Sequence, residues 1–156
     1  MASEIERKFL VAVIPDATDL GPGARLRQGY LAVDGAVEVR LRLTDDGATL
    51  TVKAGGGLER TEVELPVDPA EAEELWPHTG ARRVEKVRHR VVLDGGLVAE
   101  VDRYEGALTG LWTVEVEAAS TAAADAFTPP AWFGEELTGR PEWSNAALAV
   151  HGRPPS

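Results

Sequence analysis

Polar and apolar residues alternate along most of this chain with the period of a β-strand. In Glu4-Ile5-Glu6-Arg7-Lys8-Phe9-Leu10 that period places Glu4, Glu6 and Lys8 on one side and Ile5 and Phe9 on the other. The same spacing returns at Glu38/Arg40/Arg42, Glu62/Glu64, Lys86/Arg88/Arg90, Glu100/Asp102 and Glu115/Glu117, mostly with apolar residues between them. The charged positions therefore fall on one common face of a sheet.

Strands are predicted over residues 3–11, 25–33, 36–44, 48–53, 59–66, 83–93, 97–104 and 111–118. Asp34-Gly35 and Asp94-Gly95-Gly96 read as hairpin turns, and Asp45-Asp46-Gly47 joins two further strands. The Pro/Gly-rich stretch 14–23 reads as a loop with one helical turn, and the Gly-rich stretch 54–57 as a turn between strands. Asp68 with Pro69 behind it opens a short acidic helix that stops before Pro77. Two more short helices are expected at 122–127, capped by Ser120 or Thr121, and at 145–150, opened by Ser144. The fold class is mainly β (α+β): an eight-stranded antiparallel closed β-barrel with a few short helices outside. A single domain is expected over 1–152, with a frayed tail at 153–156.

Composition narrows the setting. The 156 residues are 44% hydrophobic, enough for one core. No run of about 18 apolar residues is present and no secretory start, so a cytoplasmic protein without membrane contact is expected. With no Cys, any metal would be held by carboxylates or the three His, and carboxylates favour hard ions such as Mg²⁺ or Mn²⁺. His78, His89 and His151 lack a ligand spacing and read as surface or packing residues. A net charge of −10 argues against a broad nucleic-acid surface. A local anion site stays open, because bases gather at positions 40, 42, 53, 60, 82, 83, 86, 88 and 90.

The charged face has two readings. One is an ordinary half-exposed sheet with weak cross-strand ion pairs. The other is a polar tunnel whose acid pairs hold a divalent ion and whose Arg and Lys clamp a polyphosphate. The near-exclusive use of Glu, Lys and Arg favours the second, since acids two apart repel unless a cation joins them.

From Glu4-x-Glu6-x-Lys8 onward the sequence resembles the CYTH family of triphosphate tunnel metalloenzymes. The resemblance continues through Gln28-Gly29-Tyr30-Leu31, Val39-Arg40-Leu41-Arg42, Leu50-Thr51-Val52-Lys53, Arg60-Thr61-Glu62-Val63-Glu64, Lys86-Val87-Arg88 and Glu100-Val101-Asp102. It ends with Gly110 through Glu117, Trp132 through Gly139, and Asn145. It implies an eight-stranded tunnel and one or two Mg²⁺ or Mn²⁺ ions on Glu4, Glu6, Asp102, Glu115 and Glu117, with Glu62 and Glu64 beside them. It implies a triphosphate bound by Lys8, Arg40, Arg42, Lys53, Lys86 and Arg88; Arg90 joins them by parity. Lys86, Tyr30 and Glu6 are the implied catalytic residues, Tyr30 being weighed against a plain buried tyrosine.

The implied activity is metal-dependent hydrolysis of a short-chain triphosphate, first inorganic triphosphate. Alternatives are thiamine triphosphate hydrolysis, cyclisation of ATP to cyclic AMP, and a non-catalytic polyphosphate- or nucleotide-binding module. A homodimer is expected by analogy. Trp143 departs from the Tyr of many relatives, and Trp76, Trp112, Trp132 and Trp143 are expected to pack helices over the barrel exterior.

Overall fold

The computed structural model describes residues 5–55 and 61–155. Glu4 and the start of the expected fifth strand lie outside the described residues. The eight expected strands are all present: β1 (Ile5–Val11), β2 (Gly23–Asp34), β3 (Val37–Thr44), β4 (Gly47–Ala54), β5 (Thr61–Val67), β6 (Arg83–Val92), β7 (Val98–Glu105) and β8 (Trp112–Ala118). A ninth, β9 (Phe133–Glu136), was not anticipated. All pairings are antiparallel, in the order β5-β4-β3-β2-β6-β7-β8-β1-β9.

The sheet does not close as an eight-stranded barrel. Closure would require β1 to offer its second edge to β5, but β9 holds that edge through Phe9↔Glu136 and Val11↔Phe133. The Leu137 N–H then donates to the Lys8 carbonyl at 2.7 Å. At the other end β5 pairs only with β4 among the described residues, and Thr61 through Pro66 are exposed.

Register confirms the common face. Across β1 and β8, Glu6 opposes Glu117 and Lys8 opposes Glu115; Glu100 opposes Glu115, and Arg88 opposes Asp102. Farther along, Tyr30 opposes Arg40, Gln28 opposes Arg42, and Lys53 opposes both Glu38 and Glu62.

The opposite face is apolar and covered by helices. Phe9, Val101, Val114, Val116 and Phe133 pack with Leu20 of α1 (Ala17–Leu20), while Leu41, Leu43 and Ala48 pack on Ala72 of α2 (Pro69–Leu75) and on Trp76. Asp16 and Asp68 cap these helices, accepting from the Asp19 and Ala70 N–H groups. α3 (Thr121–Ala126) is capped by Ser120.

Arginines on this apolar parity act as fasteners. Arg7 donates to Glu136, to the Ala124 carbonyl (2.9 Å) and to the Phe127 carbonyl (3.0 Å), tying β9 and α3 to β1. Arg83 donates to the Trp76 carbonyl and lies 4.6 Å over its ring. Gly29 permits this side of β2 to meet the turn at Thr79, because a Cβ there would lie 2.6 Å from Thr79 Cγ2.

Trp143 corrects the exterior assignment. It packs on the charged side, with Tyr30, Val84, Tyr104 and Leu137 and with Leu148 and Ala149 of α4 (Asn145–His151). Val84 and Tyr104 share the parity of Lys86 and Arg88 on β6 and of Asp102 on β7, Tyr30 of β2 pairs with Arg40 of the charged face, and Leu10 of β1 packs against the same cluster. One end of the charged face is therefore curled round an apolar plug. The other three tryptophans pack on the apolar face. Among the described residues no helix is long and apolar enough to cross a membrane.

Candidate functional site

The charged face divides into three regions. On β1, β7 and β8 it is acidic, and two like-charge pairs stand directly across ladders: Glu6 opposite Glu117, and Glu100 opposite Glu115. Such pairs destabilise a sheet unless something positive lies between them. Burial together with Glu115, Glu117 and Glu100 pushes the Glu6 carboxyl up to about 7. Lys8 partly offsets this charge, 3.8 Å from Glu115 Oε1, and its ammonium donates to the Trp143 carbonyl at 2.7 Å. Glu6, Lys8 and Glu115 line a cavity of about 420 Å³ with Trp143, Ser144 and Asn145. The Trp143 indole N–H and Asn145 Oδ1 are buried without a hydrogen-bond partner among the described residues.

This donor set fits a hard divalent cation: all ligands are carboxylate oxygens, and their mutual repulsion is what such an ion relieves. As they stand, no three acidic or histidine side chains among the described residues gather closely enough to hold one ion. Glu4, which the alternation would add to this group, lies outside the described residues.

The second region is an ion-paired centre on β6 and β7. Asp102 is fully buried and accepts from Arg88 Nε and Nη2 (2.8 and 2.9 Å), while Lys86 Nζ sits 2.8 Å away, itself 1% exposed. Burial would push the Asp102 carboxyl up, but Lys86 and Arg88 outweigh it and hold it below its ordinary value. Lys86 moves up despite burial, through Tyr104 and Asp102. Arg88 also reaches Glu100 at 3.2 Å, whereas Arg90 is mostly exposed and only grazes the same carboxylate at 3.4 Å. Asp102, expected as a metal ligand, here spends both oxygens on bases.

The third region, on β2, β3 and β4, is cationic. Arg42 Nε and Nη2 both donate to Gln28 Oε1 (3.1 and 2.9 Å). Arg40 Nη2 faces Thr51 Oγ1 at 3.4 Å and Glu64 at a long 3.9 Å. Burial, and then Arg40 and Arg88, lower the Arg42 guanidinium from its ordinary value. Lys53 stands between Glu38 and Glu62 on neighbouring strands.

Glu62 and Glu64 are therefore not beside the other acids. They lie on the edge strand β5 among the bases of β3 and β4. Tyr30 is 3% exposed within the apolar plug, and burial pushes its hydroxyl up. Arg82 and Arg83, part of the basic run in the sequence, hold backbone carbonyls and leave the charged face.

Gln28 lies in the Gln28-Gly29-Tyr30-Leu31 stretch, where the sequence alone assigns it no role. Its partnership was hidden by a bulge in β2 between Tyr30 and Ala32. A straight hairpin from the turn at Gly35-Ala36 would set Gln28 against Leu43; the extra residue sets it against Arg42.

The chain is 47% identical over 149 residues to an inorganic triphosphatase of Nitrosomonas europaea, covering 95% of this chain and 97% of that one. It is 36% identical over 151 residues to an inorganic triphosphatase of Acetivibrio thermocellus, covering 95% and 94%. A crystal structure of an inorganic triphosphatase superposes with a TM-score of 0.80 at 43% identity, covering 100% of this chain and 99% of that one. The family model of the CYTH domain matches residues 2–137, and the chain belongs to the CYTH domain family.

Proposed function

We propose that this protein hydrolyses inorganic triphosphate with the help of a divalent metal ion, on the charged face of the sheet. The observation that carries the reading is that paired carboxylates at Glu6/Glu117 and Glu100/Glu115 and the cationic pair Arg40/Arg42 share one face of the sheet. The 47% identity to an inorganic triphosphatase supports the choice of substrate.

Each region has a task. Arg40 and Arg42 bind and orient the phosphate chain and neutralise the equatorial oxygens as charge builds on them. Glu6, Glu115 and Glu117, with Glu4, would hold Mg²⁺ or Mn²⁺, and the bound ion would supply neutralisation of phosphate oxygens and a more acidic water. Lys8, fixed by the Trp143 carbonyl, contacts a phosphate oxygen beside the acidic group. The Lys86–Asp102–Arg88 cluster forms the floor between the two halves, with Arg88 bracing it through Asp102 while Lys86 stays buried. A cytosolic setting suits this chemistry.

Phosphate release from inorganic triphosphate, thiamine triphosphate and ATP, with Mg²⁺, Mn²⁺ or chelator, tests the proposal. Metal-stimulated turnover fastest on inorganic triphosphate is expected. Cyclic AMP from ATP, or tight triphosphate binding without turnover, would replace the reading with a cyclase or a binding module.

A further inference from the structure

Gln28 has no part in the chemistry above, yet its side chain is fully buried on the charged face, 0% exposed. Its amide orientation follows from its neighbours. Arg42 offers two N–H donors, so the oxygen must face the guanidinium; the nitrogen is then left 3.4 Å from the Tyr30 hydroxyl, which accepts. A half-buried guanidinium needs such an acceptor.

A carboxylate would be the stronger acceptor, and two strands away the fold uses one: Asp102 grips Arg88 through both oxygens. That grip satisfies Arg88 and cancels its charge. Arg42 is held instead by two N–H donors on one neutral amide oxygen, and no carboxylate among the described residues lies within ion-pair distance of it. The guanidinium is thus fixed in direction while its charge stays available.

We infer that Gln28 is a positioning residue for anion recognition: its amide oxygen aims the Arg42 fork across the charged face and leaves the positive charge for the triphosphate. The inference rests on the triphosphatase reading and deepens it by separating two kinds of arginine on the same face. Arg88 is held by charge and braces the sheet. Arg42 is held by a dipole and binds.

The test is Gln28→Glu, with Gln28→Met as a second variant of similar shape that lacks the acceptor. Gln28→Glu should melt at or above the wild-type temperature in the absence of ligand, because it pairs Arg42. Its KM for inorganic triphosphate should nevertheless rise by about tenfold or more, the scale of one lost charge-assisted contact, with a smaller change in kcat. Gln28→Met should raise KM as well, with a lower melting temperature.

A purely structural Gln28 would move the melting temperature and leave KM alone. Wild-type KM in either folded variant overturns the inference. If the wild-type protein releases no phosphate from triphosphate, the triphosphatase reading fails. Titration calorimetry with inorganic triphosphate then still decides the matter: weaker binding by Gln28→Glu upholds the role of Gln28, and equal affinity refutes it.

Discussion

Asp102→Asn and Lys86→Met should differ sharply in their cost, although they remove opposite ends of one ion pair. Asp102 is fully buried and serves two bases, Lys86 at 2.8 Å and Arg88 through contacts of 2.8 and 2.9 Å. Neutralising it leaves the buried Lys86 ammonium without a counter-charge and leaves Arg88 with only Glu100 at 3.2 Å. Loss of one partner from a buried pair costs about 3–5 kcal/mol. In a domain of this size that lowers the melting temperature by roughly 10 °C. Lys86→Met instead leaves Asp102 held by the Arg88 fork and fills the site with an apolar side chain of similar length, so about 1 kcal/mol or less should be lost.

Adding Lys86→Met to Asp102→Asn should restore part of the stability, because the stranded ammonium is gone. Equilibrium urea unfolding at pH 7 without metal measures all three variants. Equal losses in the two single variants, or a double variant no better than Asp102→Asn, would refute this account of the cluster. The sign of the pH dependence follows from the same contacts. The Asp102 carboxyl is held below its ordinary value, so its contribution is present above about pH 4 and is lost only as pH falls through the lowered value.

Three further outcomes are expected. Glu6 titrates at about 7 in the folded protein, above its ordinary 4.5, so the folded state holds its proton more tightly than the unfolded chain. Metal-free stability should therefore fall as pH rises from 4.5 to 7, by about 1–2 kcal/mol once the exposure of Glu6 to solvent is discounted. Glu6→Gln should flatten that slope in urea titrations at several pH values; an unchanged slope would remove Glu6 as its source. Gly29→Ala should lose about 1–3 kcal/mol in thermal melts, since the new methyl meets Thr79 at 2.6 Å, and wild-type stability would contradict that close approach. Trp143→Ala should cost about 3–5 kcal/mol, because Trp143 is 5% exposed within the plug, and a loss below about 1 kcal/mol would show that the plug is not packed as described.

Much of the fold was legible because alternation is a property of single strands. Each charged pair announced its own parity, and the register then placed Glu6, Lys8, Glu115, Arg88 and Arg42 on the same side. Closure was not legible, since parity says nothing about which strand takes a free edge. The deciding element, Phe133–Glu136, is four residues long and pairs with β1 across more than a hundred residues of chain.

The same gap explains Asp102. Its spacing from Glu100 looks like a ligand pair, and only the partner strand shows that it is spent on bases. The signal was within reach: a hairpin centred on Gly95 sets Arg88 opposite Asp102 and Arg90 opposite Glu100. The role of Gln28 was beyond reach, because a bulge shifts its partner. Trp143 misled for a different reason. An aromatic near a helix start reads as cover for an apolar face, and nothing local tells that α4 fills the end of the charged one.

The most direct measurement is a crystal structure with Mn²⁺ and a slowly hydrolysed triphosphate analogue, with anomalous scattering used to locate the metal. The account predicts a manganese peak bonded to the carboxylates of Glu6 and Glu117 or Glu115, and phosphate oxygens in contact with Arg40, Arg42 and Lys8. Analogue and metal seated instead in the outer-face cavity lined by Val13, Asp19, Val92, Phe127 and Trp132, with the charged face empty, would contradict it.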